Sequence, residues 1–206
     1  MTRLDKIPLA ETRLEPTRAF YIHGGGLLKT FTITDITEST EVSAFLTTTD
    51  LTHLIAKAKS DAATKAVSIQ LDKPSVFSTA ITARDPSGAL VATISGAVLT
   101  LGRQTITYAV GSSHHHPIKL SPVHPASRAD EFVIESVPFL WDVVDGRRRC
   151  ELTKVLDGTR VEVGRFVAES PRDKSGVLLV DSREIDEILA ALTCVAVLNR
   201  MDSFRF

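Results

Sequence analysis

Cysteine is nearly missing: Cys150 and Cys194 are the only two in 206 residues. Two thiols cannot build the disulfide framework on which small secreted domains depend, and they fit a reducing compartment. Long apolar runs are missing too. Met1–Ala10 lacks the apolar core of a signal peptide. The greasiest stretch, Ile188–Leu198, is broken only by Thr193 and falls well short of the ~18 residues of a membrane span. Charge of one sign is not in excess either. Twenty-four Lys and Arg stand against 25 Asp and Glu, for a formal net charge of −1, which argues against a protein built to bind nucleic acid. Thr2 and the closing Phe204-Arg205-Phe206 match no lipidation signal. Catalytic signatures are absent as well: there is no G-x-S-x-G elbow, no H-E-x-x-H and no G-x-G-x-x-G. Gly24–Thr30 (GGGLLKT) lacks the glycine that a phosphate loop needs before its lysine. These absences lead us to expect no enzyme, no cofactor, no metal and no transmembrane span, in a soluble cytoplasmic protein.

What is present is a series of short strands. Phe31–Ile36 alternates apolar and polar residues with period two, and Val42–Thr48, rich in β-branched residues, reads as its partner. Asp50–Ala63 shifts to helical spacing, with Leu51, Leu54, Ile55 and Ala58 on one face and Asp50 as its cap. Strand-like runs follow at Val67–Leu71, Val76–Ala83, Ala89–Ile94, Ala97–Leu101 and Thr105–Val110. Gly111–Arg128 is a loop with His114-His115-His116 and three prolines, and Ile118–Leu120 reads as a short edge strand within it. Further strands are read at Phe132–Ile134, Phe139–Val144, Arg147–Leu156, Thr159–Val167 and Val177–Val180. Asp145-Gly146 and Asp157-Gly158 mark tight hairpins, because both central residues of such turns need positive φ. The apolar phase of Thr159–Val167 switches at Gly164, the signature of a bulge. Asp181–Met201 reads as a closing helix, capped by Asp181 with Glu184 three residues on. A helix apolar on every side must be buried on every side. The pattern therefore predicts a mainly β (α+β) chain, a sheet wrapped around one greasy helix.

Three pieces of this pattern, Ile81–Ile94, Phe139–Val167 with Trp141 and its twin Asp-Gly turns, and Val177–Arg200, resemble the tubby C-terminal-like superfamily. That superfamily also holds the phospholipid scramblases and the plant LURP-one-related proteins, and the whole pattern is most similar to uncharacterised fungal members. The resemblance spans most of residues 30–201. It implies a closed antiparallel β-barrel of about a dozen strands around a hydrophobic C-terminal helix. On that reading residues 1–26 form a flexible N-terminal arm, and residues 27–206 form the barrel domain with its central helix at about 181–201. The paired basic residues with which tubby proteins bind phosphoinositides have no aligned counterpart here. The palmitoylated cysteine runs and calcium-linked segment of the scramblases have none either.

The strongest basic feature is Arg147-Arg148-Arg149, with Arg160 and Arg165 on the next strand; Arg147–Lys174 holds 8 basic and 5 acidic residues. Strand parity puts Arg148 with Cys150 and Leu152, at the barrel rim, and Arg147 and Arg149 on the opposite face. Arginine forks suit phosphate, so these five arginines are the candidate binding residues for an anionic phospholipid or phosphoinositide at a membrane surface. A solvated hairpin paired to Glu151 and Glu162 is the plainer reading. Three histidines in extended chain point to alternate sides and rarely converge on one metal ion. Cys150 and Cys194 approach each other only if the helix lies inside the barrel, as small buried hydrophobes. The expectation is a non-catalytic binding module, reading lipid head groups from the cytoplasmic side. A protein–protein adaptor using the His/Pro loop and the arm is the alternative.

Overall fold

The computed structural model describes residues 3–11, 13–24, 30–47, 51–73, 80–96, 102–112, 114–124, 127–144, 148–170 and 174–203. Twelve antiparallel strands close into a barrel. They are β1 (Arg18–Gly24), β2 (Phe31–Asp35), β3 (Ile69–Asp72), β4 (Ala80–Arg84), β5 (Leu90–Gly96) and β6 (Gln104–Tyr108), followed by β7 (Ile118–Pro122), β8 (Asp130–Ile134), β9 (Val137–Val144), β10 (Arg149–Leu156), β11 (Thr159–Ala168) and β12 (Gly176–Val180). Each strand pairs with its neighbour in sequence, and β1 pairs with β12 to complete the ring, which removes every sheet edge. Helices α1 (Ala44–Thr47) and α2 (Thr52–Ala63) lie between β2 and β3. Helix α3 (Glu187–Ser203) follows β12.

Helix α3 is the axis of the barrel. Every residue from Leu189 to Leu198 is buried, Thr193 included. The inward faces of the strands pack on it through Phe139, Trp141, Leu152, Phe166 and Leu178, among others. Polar contacts tie the wall to the helix. The Trp141 indole Nε1–H donates to Thr193 Oγ1 at 3.0 Å, and that hydroxyl donates to the Ala190 carbonyl at 3.0 Å. Gln104 Nε2 donates to the Ala196 carbonyl at 2.8 Å, tying β6 to the helix.

A second core lies outside the ring. Ile55, Ala58 and Ala62 of α2, with Phe45 of α1, cover Tyr21, Val167, Val177 and Leu179. Strand β12 is thus buried on both faces, which is why it is apolar at every position after Gly176.

Several expectations shift. Val42–Thr48 contains helix α1 rather than a strand, because Val42, Phe45 and Leu46 fall on one helical face against the outer core. Ile118–Pro122 is no edge, since it bonds to β6 on one side and β8 on the other. The arm expected over residues 1–26 contains β1, whose Ala19–Ile22 are buried. The rest is tied down where described: Arg160 N–H donates to the Pro8 carbonyl at 2.8 Å, and Ala10 N–H to the Arg160 carbonyl at 2.7 Å. The bulge at Gly164 is present: Leu152 pairs with Gly164 and Thr153 with Glu162, leaving Val163 over. A Cβ on Gly164 would stand 3.3 Å from the Leu179 carbonyl, so β12 packs closely on this glycine. Helix α3 is capped by Asp186, whose Oδ1 accepts the Leu189 N–H at 2.8 Å, not by Asp181. Asp181 instead heads the turn before the helix, accepting from Glu184 N–H through its carbonyl and from Arg183 through its side chain. The caps at Asp50 and the strands at Val76–Thr79 and Ala97–Leu101 lie outside the described residues.

Candidate functional site

Antiparallel closure sorts every connection to one of two rims. The upper rim, where α3 begins, receives the β4–β5, β6–β7, β8–β9 and β10–β11 connections; the lower rim, where α3 ends, receives β3–β4, β5–β6, β7–β8, β9–β10 and β11–β12. Lys73, Arg103, Arg128, Arg148, Arg149 and Lys174 stand at the lower rim, and Arg103, Arg128 and Arg148 are exposed. Asp85, Glu135, Asp157, Glu184 and Asp186 stand at the upper rim. Each rim also carries the opposite sign, with Arg84, Lys154 and Arg183 above and Asp72, Asp130 and Glu169 below.

This geometry divides the five candidate arginines. Arg149 pairs across with Val167 and Arg160 with Val155, so the two stand about 20 Å apart along the hairpin, at opposite rims. They form no single cationic face. Arg149 Nε lies 3.1 Å from Glu151 Oε1. Arg165 grips Glu162 with two parallel bonds of 2.7 Å. Arg160 donates to the Ile7 carbonyl at 3.0 Å and lies 3.8 Å from Asp142, so it holds the arm. These carboxylates are crowded: burial first, then Glu162, pushes the Glu151 carboxyl up, against the pull of Arg149 and Arg165. Arg148 is exposed in the turn before β10, with its carbonyl accepting the Ala168 N–H at 2.9 Å. Arg147 lies outside the described residues.

The lower rim is closed beneath its basic ring. Arg200, on the last turn of α3, bonds Asp130 Oδ2 through Nε at 2.8 Å and reaches the Ser127 carbonyl at 3.2 Å. Burial pushes Asp130 up to about 6, with Arg200 pulling the other way. Gly102, at φ +86°, leaves room for Arg200, whose Cδ would stand 2.8 Å from a Cβ there.

The upper rim stays open over a cavity of about 360 Å³. Its floor is apolar, and His114, Glu135, Lys154, Glu184 and Asp186 rim it. His114 packs on Tyr108 with ring centroids 4.6 Å apart, while His115 and His116 point into solvent. Among the described residues no three His, Cys, Asp or Glu side chains group to hold a metal. Sequence reasoning missed the turn Ile134–Val137, where Glu135 (φ 48°) and Ser136 (φ 70°) both adopt the left-handed conformation. The signal for a two-residue hairpin is Asn-Gly or Asp-Gly, as Asp157-Gly158 provides with φ 49° and 76°. Glu-Ser gives none.

Cys150 and Cys194 are buried free thiols in the inner core. Burial, with the negative charges of Asp142 and Asp130 beyond, pushes Cys150 up to about 12. Burial raises Cys194 as well, with the nearby Cys150 adding to the shift. Both thiols are poor nucleophiles.

No family model matches the chain, and no curated protein matches it. A protein of Arabidopsis thaliana known from an X-ray structure is similar in fold, with a TM-score of 0.53 and 12% identity over 90% of this chain and 91% of that one. The likeness is one of backbone architecture. Among the described residues no helix is long and apolar enough to cross a membrane.

Proposed function

We propose that the chain is a non-catalytic binding module of tubby-like architecture that docks its lower rim on an anionic surface, namely lipid head groups at the cytoplasmic face of a membrane. The observation that carries this reading is the exposure of Arg103, Arg128 and Arg148 on three different connections of one rim. Guanidinium groups spread over a ring meet a plane of phosphates together, and each contact near such a surface is worth about 1 kcal/mol. Arg148 and Arg149 stay in the binding set, while Arg160 and Arg165 serve the fold through Ile7, Asp142 and Glu162.

The adaptor reading has one feature in its favour. A groove of about 530 Å³ on the outer wall, lined by Leu4, Val123, Val133 and Pro138, leaves Val133 58% exposed. Salt separates the two: arginine-borne lipid binding fades as ionic strength rises, and an apolar contact does not.

The test is co-sedimentation with phosphatidylcholine vesicles, alone or with phosphatidylserine or a phosphoinositide, for the wild type and Arg103→Ala/Arg128→Ala/Arg148→Ala. Binding that needs anionic lipid and disappears in the folded variant supports the proposal. Absence of wild-type binding at low salt overturns it.

A further inference from the structure

We propose that the outer wall from Arg160 to Val133 is a docking surface for an extended peptide. The chain's own residues 4–10 hold it in cis, and a partner protein's segment with a basic residue where Asp5 stands takes it over. Strand β11 overruns β12: their pairing ends with Gly164 opposite Val180, and Thr159–Glu162 continue past it. The arm takes that place. Leu9 lies parallel to Arg160, whose N–H donates to the Pro8 carbonyl at 2.8 Å and whose carbonyl accepts the Ala10 N–H at 2.7 Å. Arg160 Nε donates to the Ile7 carbonyl at 3.0 Å. This is the pattern of strand addition, in which main-chain bonds supply the affinity. All three bonds go to arm backbone, so none reads the arm's sequence, and the Leu9 side chain is 48% exposed.

Upstream the arm crosses the wall to β9, on which the single turn Leu4–Lys6 packs. Leu140 faces outward there, between the inward-facing Phe139 and Trp141, and is nonetheless fully buried. The arm thus covers apolar surface, but not all of it. A groove of about 530 Å³ remains beside Leu4, lined also by Pro117, Val123, Val133 and Pro138.

Charge is mismatched as well. Glu131 is half-buried on β8 and lines the same groove. Burial first, then the negative charge of Asp5, pushes its carboxyl up. Arg3 grips Asp5 with bonds of 3.1 and 2.7 Å, both within the arm. Lys119 lines the groove too, but is exposed and screened by water. A segment with Lys or Arg in place of Asp5 would meet Glu131 with the opposite charge. A larger apolar side chain in place of Leu4 would fill the groove.

The test needs a chain whose arm is loosened and whose wall is intact. Ala10→Pro removes the N–H that bonds the Arg160 carbonyl and leaves β11 and the groove unchanged. Fluorescent synthetic peptides of residues 3–11, one natural and one with Asp5→Lys, are titrated against the full chain and its Ala10→Pro variant, with circular dichroism to check folding. We expect the Asp5→Lys peptide to bind the variant with a Kd of about 1 mM or tighter. The wild type should bind it several-fold more weakly, because the tethered arm competes at an effective concentration in the mM range. The natural peptide should bind the variant several-fold more weakly than the Asp5→Lys peptide, and adding Glu131→Gln to the chain should remove that difference. No binding of either peptide at ~10 mM, equal binding by the two chains, or two peptides that bind alike would each overturn the proposal. A second measurement needs no loosened arm. In the full chain carrying only Asp5→Lys, amide exchange at Arg160 should slow a few-fold, and unchanged exchange there would overturn the proposal too. None of these outcomes depends on the vesicle result, which concerns the lower rim.

Discussion

At the lower rim Arg200 and Asp130 meet with side chains 3% and 2% exposed; at the upper rim Lys154 and Glu184 meet with theirs 16% and 38% exposed. Each end pairs one cation with one carboxylate. Solvent makes the difference. Below, water is excluded and the Asp130 carboxylate depends on Arg200, its Oδ1 finding no partner. Above, the Lys154–Glu184 pair stands nearer to water, which screens it.

The comparison breaks most sharply at Arg200. Arg200→Met strands a buried carboxylate and should cost about 3–5 kcal/mol in urea unfolding at neutral pH. Arg200→Met with Asp130→Leu should recover most of that, because the pair's desolvation is removed along with its attraction. The pH response sharpens the point. Asp130 rises from 3.8 to about 6 on folding, so between those values the folded state holds the proton that the unfolded state has released. Stability then falls as pH rises through that window, by up to ~1.4 kcal/mol per unit, and is highest below it. The unfolding free energy of the wild type relative to Asp130→Asn, measured from pH 4 to 7, should fall between pH 4 and 6 and level off above that window. A flat difference would show that Arg200 fully offsets the burial of Asp130.

Between the rims the barrel tolerates little. Thr193→Val preserves shape but leaves the Trp141 indole N–H without an acceptor in a dry core. The cost should be about 1–3 kcal/mol, read by denaturant unfolding followed through the fluorescence of that tryptophan. At the upper rim Asp186→Ala should cost about 1 kcal/mol through the lost cap. Asp181→Ala should leave the start of α3 in place, as amide exchange at Leu189 would report.

Much of this was legible in the residues. The closing apolar run demanded burial on all sides, which Leu189–Leu198 receive, and period-two strands with the Asp157-Gly158 turn supplied the wall to bury it. What escaped reading depends on distance. Arg148, Arg103 and Arg128 lie far apart in sequence and meet at one rim only through closure, while the adjacent-looking Arg149 and Arg160 are separated by the length of a hairpin. Phe45 reads as strand by its neighbours and folds as helix because α2 and the outer wall await it. Glu135 and Ser136 carry no turn signal, so the rim they build was invisible. Periodicity reports which face a residue takes, whereas a site depends on which loops share an end.

The smallest effect is the one that tests the openness of the upper rim most directly. Lys154→Gln and Glu184→Gln, singly and together, define a double-mutant cycle for an ion pair in contact with bulk water. Exposed pairs typically couple by ~0.2–1 kcal/mol, and we expect this one near the low end, vanishing in 1 M salt as the screening length contracts to about 3 Å. Each single variant should unfold within ~0.5 kcal/mol of the wild type. A coupling of several kcal/mol that resists salt would mean that the upper rim is as dry as the lower. The Lys154–Glu184 pair would then be a second structural clamp, and the contrast between the two rims would have to rest on shape instead of solvent.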